Sequence, residues 1–159
     1  MPLWHFRICS VSARDLDLSF GDGALSVWHG RVFDSLFRDF KFDGASSFIE
    51  SEFNGCDFGG ARLRLDGVDT VFSDCDFSDA TFAGGLSEYG FTRCSFVRCR
   101  FRGARWKRTY LKACRFECCE LEDFWVENSV VPSVKHRDCT GDIGQVFANA
   151  KLIDLSSDA

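Results

Sequence analysis

From residue 48 to 131 a large apolar residue returns at almost every fifth position, and that period restricts the fold more than any other feature of the chain. The series runs Phe48, Phe53, Phe58, Leu63, Val68, Phe72, Phe77, Phe82, Leu86, Phe91, Phe96, Phe101, Trp106, Leu111, Phe116, Leu121, Val126 and Val131, with four-residue steps at 68 to 72 and 82 to 86. Two places before most of these stands a small residue, as in Ser51, Cys56, Ala61, Cys75, Ala80, Cys94, Cys99, Ala104, Cys114 and Cys119. Helices repeat at 3.6 residues and strands at 2, so neither alone has this spacing. In an extended segment residues i−2 and i share a face, yet the next small and large pair falls at i+3 and i+5, so the inward phase flips once per repeat. The chain must therefore turn in every repeat. Right-angle turns close a square coil of about 20 residues, and successive coils stack at roughly 4.8 Å.

Stacking predicts chemically similar columns about 20 residues apart. One expected column reads Phe58, Phe77, Phe96, Phe116 over the small residues Cys56, Cys75, Cys94 and Cys114. A second reads Leu63, Phe82, Phe101, Leu121 over Ala61, Ala80, Cys99 and Cys119, and a third reads Phe53, Phe72, Phe91, Leu111. The fourth, Phe48, Val68, Leu86, Trp106, Val126, is the least regular, and both four-residue steps fall beside it. A tube filled this way explains a composition of 18 Phe against 2 Tyr and 1 Met.

Repeats such as Cys75-Asp76-Phe77-Ser78-Asp79, Ala80-Thr81-Phe82-Ala83-Gly84 and Cys94-Ser95-Phe96-Val97-Arg98 resemble the A(D/N)LXX pattern of the pentapeptide-repeat family. The resemblance covers about half the chain strongly and implies an all-β fold, a right-handed quadrilateral β-helix. Known members include topoisomerase-protecting DNA mimics and many proteins with no assigned role, and fold does not fix function. The expected organisation is a single domain, 1–159, with an N-terminal β cap at 1–32, the repeat β-helix at 33–131 and a C-terminal segment at 132–159. Weaker repeats at Phe33, Phe37 and Phe42 add an early coil, for about five coils in all. Leu16, Leu18 and Phe20, then Gly21-Asp22-Gly23, then Leu25 and Val27 read as a β-hairpin. After Pro132 a loop, Ser133 to Asp142, leads to Ile143, Val146, Phe147 and Ala150, whose spacing suits a short helix. Ala150-Lys151-Leu152 also fits one more repeat. The resemblance further implies that a homodimer contact would lie in this C-terminal segment.

The start of the sequence has no basic stretch followed by an apolar one, and no apolar run is long enough for a membrane span, so a cytoplasmic protein is expected. Nine cysteines are then expected to be reduced. Those in the repeats are spread along the tube axis rather than converging on a point, as zinc would require, and read as small hydrophobes. Cys118 on the outside, with Cys9 and Cys139 in the caps, are the accessible thiols. His5, His29 and His136 stand apart from any nucleophile, and no phosphate loop or metal motif occurs, so neither an enzyme nor a cofactor is expected.

The strongest polar feature is a basic belt. Residues 93 to 115 hold Arg93, Arg98, Arg100, Arg102, Arg105, Lys107, Arg108, Lys112 and Arg115 and no acid, while acids flank the belt on both sides. It has two readings. Stacking by 19 or 20 residues would pair Asp74 with Arg93, Asp79 with Arg98, Arg100 with Glu120, Arg102 with Glu122 and Lys107 with Glu127, a ladder of cross-strand ion pairs. Alternatively the belt binds an anionic partner. Arg105, Arg108, Tyr110, Lys112 and Trp125 hold outward positions with no stacked acid. They are the candidate binding surface, with Trp125 stacked above Arg105 for a cation–π contact or simply for shielding. Two functions stay open: a rigid surface that binds another protein as an inhibitor, immunity factor or adaptor, and a DNA mimic that protects gyrase. A net charge of −5 argues against direct nucleic-acid binding, and the alternation of acidic and basic coils argues against mimicry.

Overall fold

A computed structural model describes residues 5–42, 46–83, 89–127, 129, 133–148 and 151–154. The turning chain expected from the period is present as a four-sided parallel β-helix. The first face stacks His5–Cys9, Asp22–Trp28, Ser46–Ile49, Leu65–Val68, Gly90–Thr92 and Tyr110–Lys112. Its neighbour, the second face, stacks Ser12–Arg14, Arg31–Phe33, Glu52–Asn54, Val71–Ser73, Ser95–Val97, Cys114–Glu117, Ser133–Arg137 and Lys151–Asp154. The third face is a file of single bridges from Asp17 through Leu36, Asp57, Asp76, Arg100 and Glu120 to Thr140. On the fourth lie the start of Asp22–Trp28, then Lys41–Phe42, Arg62–Leu63, Thr81–Ala83, Arg105–Lys107 and Trp125–Glu127. This makes about six turns, a rod of roughly 29 Å rather than five coils.

The turns are carried by left-handed backbone at the corners. Asp15, Asp34, Asp74, Arg98, Cys118 and Asp138 all have positive φ in one corner file, and Glu50, Asp69 and Arg93 in another. Asp tolerates this region better than most residues because its short side chain bonds locally. On the third face Asp17, Asp57 and Asp76 accept hydrogen bonds from the backbone N–H of Ser19, Gly59 and Ser78, so a side-chain turn replaces the strand ladder there. Many of the repeat aspartates therefore build corners.

Inside, phenylalanines stack face to face along the axis. Phe53, Phe72, Phe96 and Phe116 form one file, with ring centroids 5.1, 5.1 and 5.0 Å apart. Phe37, Phe58, Phe77 and Phe101 form the next, at 5.0, 4.9 and 5.3 Å. These are not the columns expected from uninterrupted spacing. Phe72 and Phe96, 24 residues apart, are register partners, whereas the coil below spans 19 from Phe53 to Phe72. The registers change between the strands Thr81–Ala83 and Gly90–Thr92. Everything after this point is shifted by one face against everything before it. Trp106 consequently lies over Phe82 and Leu63, and Phe91 lies over Gly67 and Phe48. Gly84, Leu86, Val131, Pro132 and Ala150, used in the sequence reading, lie outside the described residues.

Both ends differ from expectation. The N-terminal segment is β, but His5–Cys9 runs parallel to Asp22–Trp28 and Ser12–Arg14 parallel to Arg31–Phe33, so it is the first coil and not a hairpin. The expected loop at 133–142 holds the strand Ser133–Arg137, stacked on Cys114–Glu117. A one-turn helix, Ile143–Val146, follows, capped by the Asp142 side chain. Phe147 is buried against Phe116 at 5.2 Å and plugs the tube. Lys151–Asp154 then adds one further strand, so helix and extra repeat are both present.

Candidate functional site

The register shift decides which charges meet. Arg93 bonds Asp69 through two nitrogens at 2.7 and 3.0 Å, and Arg98 bonds Asp74 at 2.9 and 3.0 Å. The expected partners, Asp74 for Arg93 and Asp79 for Arg98, each lie one corner too far along, because this coil spans 24 residues and not 19. Above the shift, spacing by 20 holds, and Arg100 meets Glu120 at 4.0 Å and Lys107 meets Glu127 at 3.7 Å. For Arg102 no ion pair is formed among the described residues. Glu122 instead takes a hydrogen bond from Thr140, which lowers its pKa, with Arg102 adding a smaller effect. Asp69 and Asp74 are likewise held below the usual carboxylate range by the hydrogen bonds from Arg93 and Arg98. Much of the belt is thus an ion-pair ladder between coils.

The five candidate binding residues divide between two faces. Tyr110 and Lys112 belong to the first face. The Tyr110 hydroxyl donates to the Asp66 carboxylate two coils below, passing Gly90, which has no side chain to block it. Burial, then the Asp66 bond, push the Tyr110 pKa up. Tyr110 is therefore half-buried and bonded to an acid, contrary to the expectation of a free outward ring. The Lys112 ammonium lies 5.0 Å from the Tyr110 ring centroid. Arg108 sits at the corner with φ of 53° and has a partner of its own, so it is no spare charge.

Arg105 and Trp125 are register neighbours on the fourth face, both exposed. The ring contacts to cations among the described residues are Arg14 on Phe33, Arg64 on Tyr89 and Lys112 on Tyr110, and the Arg105–Trp125 stacking does not form a cation–π pair. Below Arg105 the file continues through Thr81, Arg62 and Lys41 to Asp22. Lys41, Arg62 and Arg105 are exposed and form no ion pair among the described residues. Lys41 and Arg62 are not legible as neighbours of Arg105 in the sequence, because the file spaces its cations by 21 and 43 residues across the longer coil. Beside Trp125 is a cleft of about 70 Å³ lined by Leu121, Asp123, Phe124, Asp142, Gln145 and Val146.

The thiols form their own files. Cys75, Cys99, Cys119 and Cys139 donate to the carbonyls of Phe53, Phe72, Phe96 and Phe116, at 3.2 to 3.5 Å. Cys139 is therefore a repeat position and not a cap residue. Cys94 and Cys114 belong to another file with Ser51 and Thr70, and burial pushes the Cys94 thiol up to about 12. Among the described residues no cluster of three or more His, Cys, Asp or Glu is arranged to hold a metal. None of the described helices is long and apolar enough to cross a membrane.

No family model matches the chain, and no curated protein matches it. Solved structures do. Full-length QnrB1, a plasmid-mediated fluoroquinolone resistance protein, is 18% identical over 92% of this chain and 95% of its own, with a TM-score of 0.34. HetL, a pentapeptide repeat protein involved in heterocyst differentiation regulation from the cyanobacterium Nostoc, is 12% identical over 91% and 84%, with a TM-score of 0.40. Likeness at this level assigns no activity. The five-residue step, the four faces and the parallel stacking of the chain's own residues are what establish that it has the pentapeptide-repeat fold.

Proposed function

We propose that this chain is a non-enzymatic binding protein that offers one flat face of a rigid β-helix to another protein. The observation that carries the reading is the file Lys41, Arg62, Arg105 and Trp125 on the fourth face. Cations elsewhere in the coil are largely neutralised by a carboxylate one coil away, as in Arg14–Asp34, Arg31–Glu52, Arg38–Asp57, Arg93–Asp69 and Arg98–Asp74. Exposed Trp and Arg together are the residue types that most often anchor protein interfaces. Arg105 and Trp125 keep their place in this surface, with Lys41 and Arg62 added. Tyr110 and Lys112 face round the corner, so they would contact only a partner that wraps it.

Mimicry of DNA has less support. A mimic needs acids left free to present their charge, whereas Asp34, Asp57, Asp69 and Asp74 are bonded to arginines. The experiment is affinity capture from native lysate with wild type, Arg105→Glu and Trp125→Ala. Capture by wild type that both variants lose, at unchanged melting temperature, supports the reading. Capture that survives both removes this face from consideration, and gyrase protected from inhibition in a supercoiling assay would favour the mimic.

A further inference from the structure

We infer that the partner of the fourth face is an α-helix bearing a single stripe of acidic residues, laid parallel to the rod axis. The inference rests on the protein-binding reading and adds the partner's chemistry and shape. Its starting point is an arrangement that works against the fold. Lys41 and Arg62 are in-register neighbours on adjacent coils, both exposed, and like charges placed directly opposite on neighbouring strands destabilise a sheet. Asp22 stands below Lys41 in the same file but forms no ion pair with it. Another like pair, Arg115 beside Lys135, is relieved by Glu117 at 3.2 Å from Arg115. The fourth-face pair has no such relief among the described residues. An anion supplied from outside removes the repulsion.

The shape of the anion follows from the file's spacing and width. With coils roughly 4.8 Å apart, Lys41, Arg62, Thr81, Arg105 and Trp125 occupy heights of about 0, 5, 10, 14 and 19 Å. Residues on one stripe of an α-helix recur after three or four positions, at about 0, 4.5, 10.5, 15 and 21 Å. The two series stay within roughly 2 Å over the whole file. An extended peptide, with same-side residues about 6.8 Å apart, overshoots the Lys41–Arg62 step by about 2 Å, where the helix is within about 0.3 Å, and sets no residue opposite Thr81. The stripe is also narrow. The corner file bordering the fourth face carries Asp39, Asp79 and Asp123, so a broad polyanion such as a nucleic acid would meet these carboxylates, while one helical stripe would not. The matching helix has acids at about i, i+3 and i+10 opposite Lys41, Arg62 and Arg105, a neutral residue opposite Thr81, and an apolar one near i+14 for Trp125 and its cleft.

The test uses the full chain and a labelled, helix-stabilised peptide of about 18 residues carrying Glu at i, i+3 and i+10 and Leu at i+14. A second peptide of the same composition spreads the Glu residues around the helix, and a single-stranded oligonucleotide of similar charge is the third probe. The expected result is salt-sensitive binding of the striped peptide, at least about tenfold tighter than the other two. Arg62→Glu and Arg105→Glu should each weaken it about tenfold or more, and Arg98→Gln, which alters a paired cation at another corner, should not. Melting temperatures no lower than that of wild type exclude misfolding as the cause, and Arg62→Glu, which sets an acid beside Lys41, should melt slightly higher. No binding of the striped peptide, or equal binding of both peptides, overturns the inference. Tighter binding of the oligonucleotide overturns it in favour of nucleic acid. Loss of lysate capture in Arg105→Glu, found together with either failure, would leave the protein-binding reading standing and the helix refuted.

Discussion

Phe96→Ala should be among the most damaging single substitutions in the chain. Phe96 is wholly buried, stacked on Phe72 at 5.1 Å and 6° and on Phe116 at 5.0 Å and 13°. Phe91, Phe77 and Phe101 meet it edge-on at 5.2, 5.7 and 5.4 Å. Removing the ring deletes these and the edge contact with Trp106 at 6.1 Å, six aromatic contacts in all, and leaves a hole whose walls are strands bonded to the coils above and below. Such walls cannot close in, so the cost belongs in the upper part of the range for Phe→Ala, about 4–5 kcal/mol. Phe20→Ala is the control, since Phe20 is 78% exposed and its loss should cost less than about 0.5 kcal/mol. Urea unfolding followed by circular dichroism gives both values. A cost for Phe96→Ala below about 1 kcal/mol, or one equal to that of Phe20→Ala, would refute the stacked interior.

Three further outcomes follow from the corners and the thiols. Arg98 holds the Asp74 carboxyl below its usual range, so this contribution to stability is present at neutral pH and is lost as pH falls through the depressed pKa. By NMR titration Arg98→Gln should raise the midpoint of Asp74 and leave Asp69 alone, Arg93→Gln should do the reverse, and movement of Asp79 in place of Asp74 would contradict the register. Gly103 has φ of 74° and lies where a Cβ would run into the Asp79 carboxylate, so Gly103→Ala should destabilise by about 1–2 kcal/mol in thermal or urea unfolding. Cys9 and Cys118 are the exposed thiols and should react quickly with a thiol reagent in the native protein, whereas all nine should react once it is unfolded.

The sequence carried the coil itself because the five-residue period is written in large side chains that cannot be placed any other way. Registers within each half were also legible: Phe53 under Phe72 and Phe96 under Phe116 are true neighbours. What could not be read was the joint between the halves. The coil from Phe72 to Phe96 is five residues longer than the one from Phe53 to Phe72, while the period on either side continues. Local spacing is blind to an insertion that preserves phase. The same blindness made the first coil look like a hairpin, since Gly21-Asp22-Gly23 resembles a tight turn yet lies at the start of a long parallel strand. In the candidate site Arg105 and Trp125 were found because their spacing of 20 lies within one half. Lys41 and Arg62 were missed because their relation to Arg105 crosses the joint.

Which charges meet depends on which coil lies over which, and one cross-linking measurement tests that directly. Val71 and Ser95 are register partners on the second face, at a separation that a disulfide between adjacent strands can span. Uninterrupted spacing would instead place Ser95 over Asp76, which here pairs with Arg100 on the third face. With Cys9 and Cys118 replaced by Ser, the pair Val71→Cys with Ser95→Cys should form an intramolecular disulfide under mild oxidation, seen by mass spectrometry after digestion. The pair Asp76→Cys with Ser95→Cys should not. The reverse result would move every acid and cation above the joint by one face and dissolve the file of Lys41, Arg62 and Arg105.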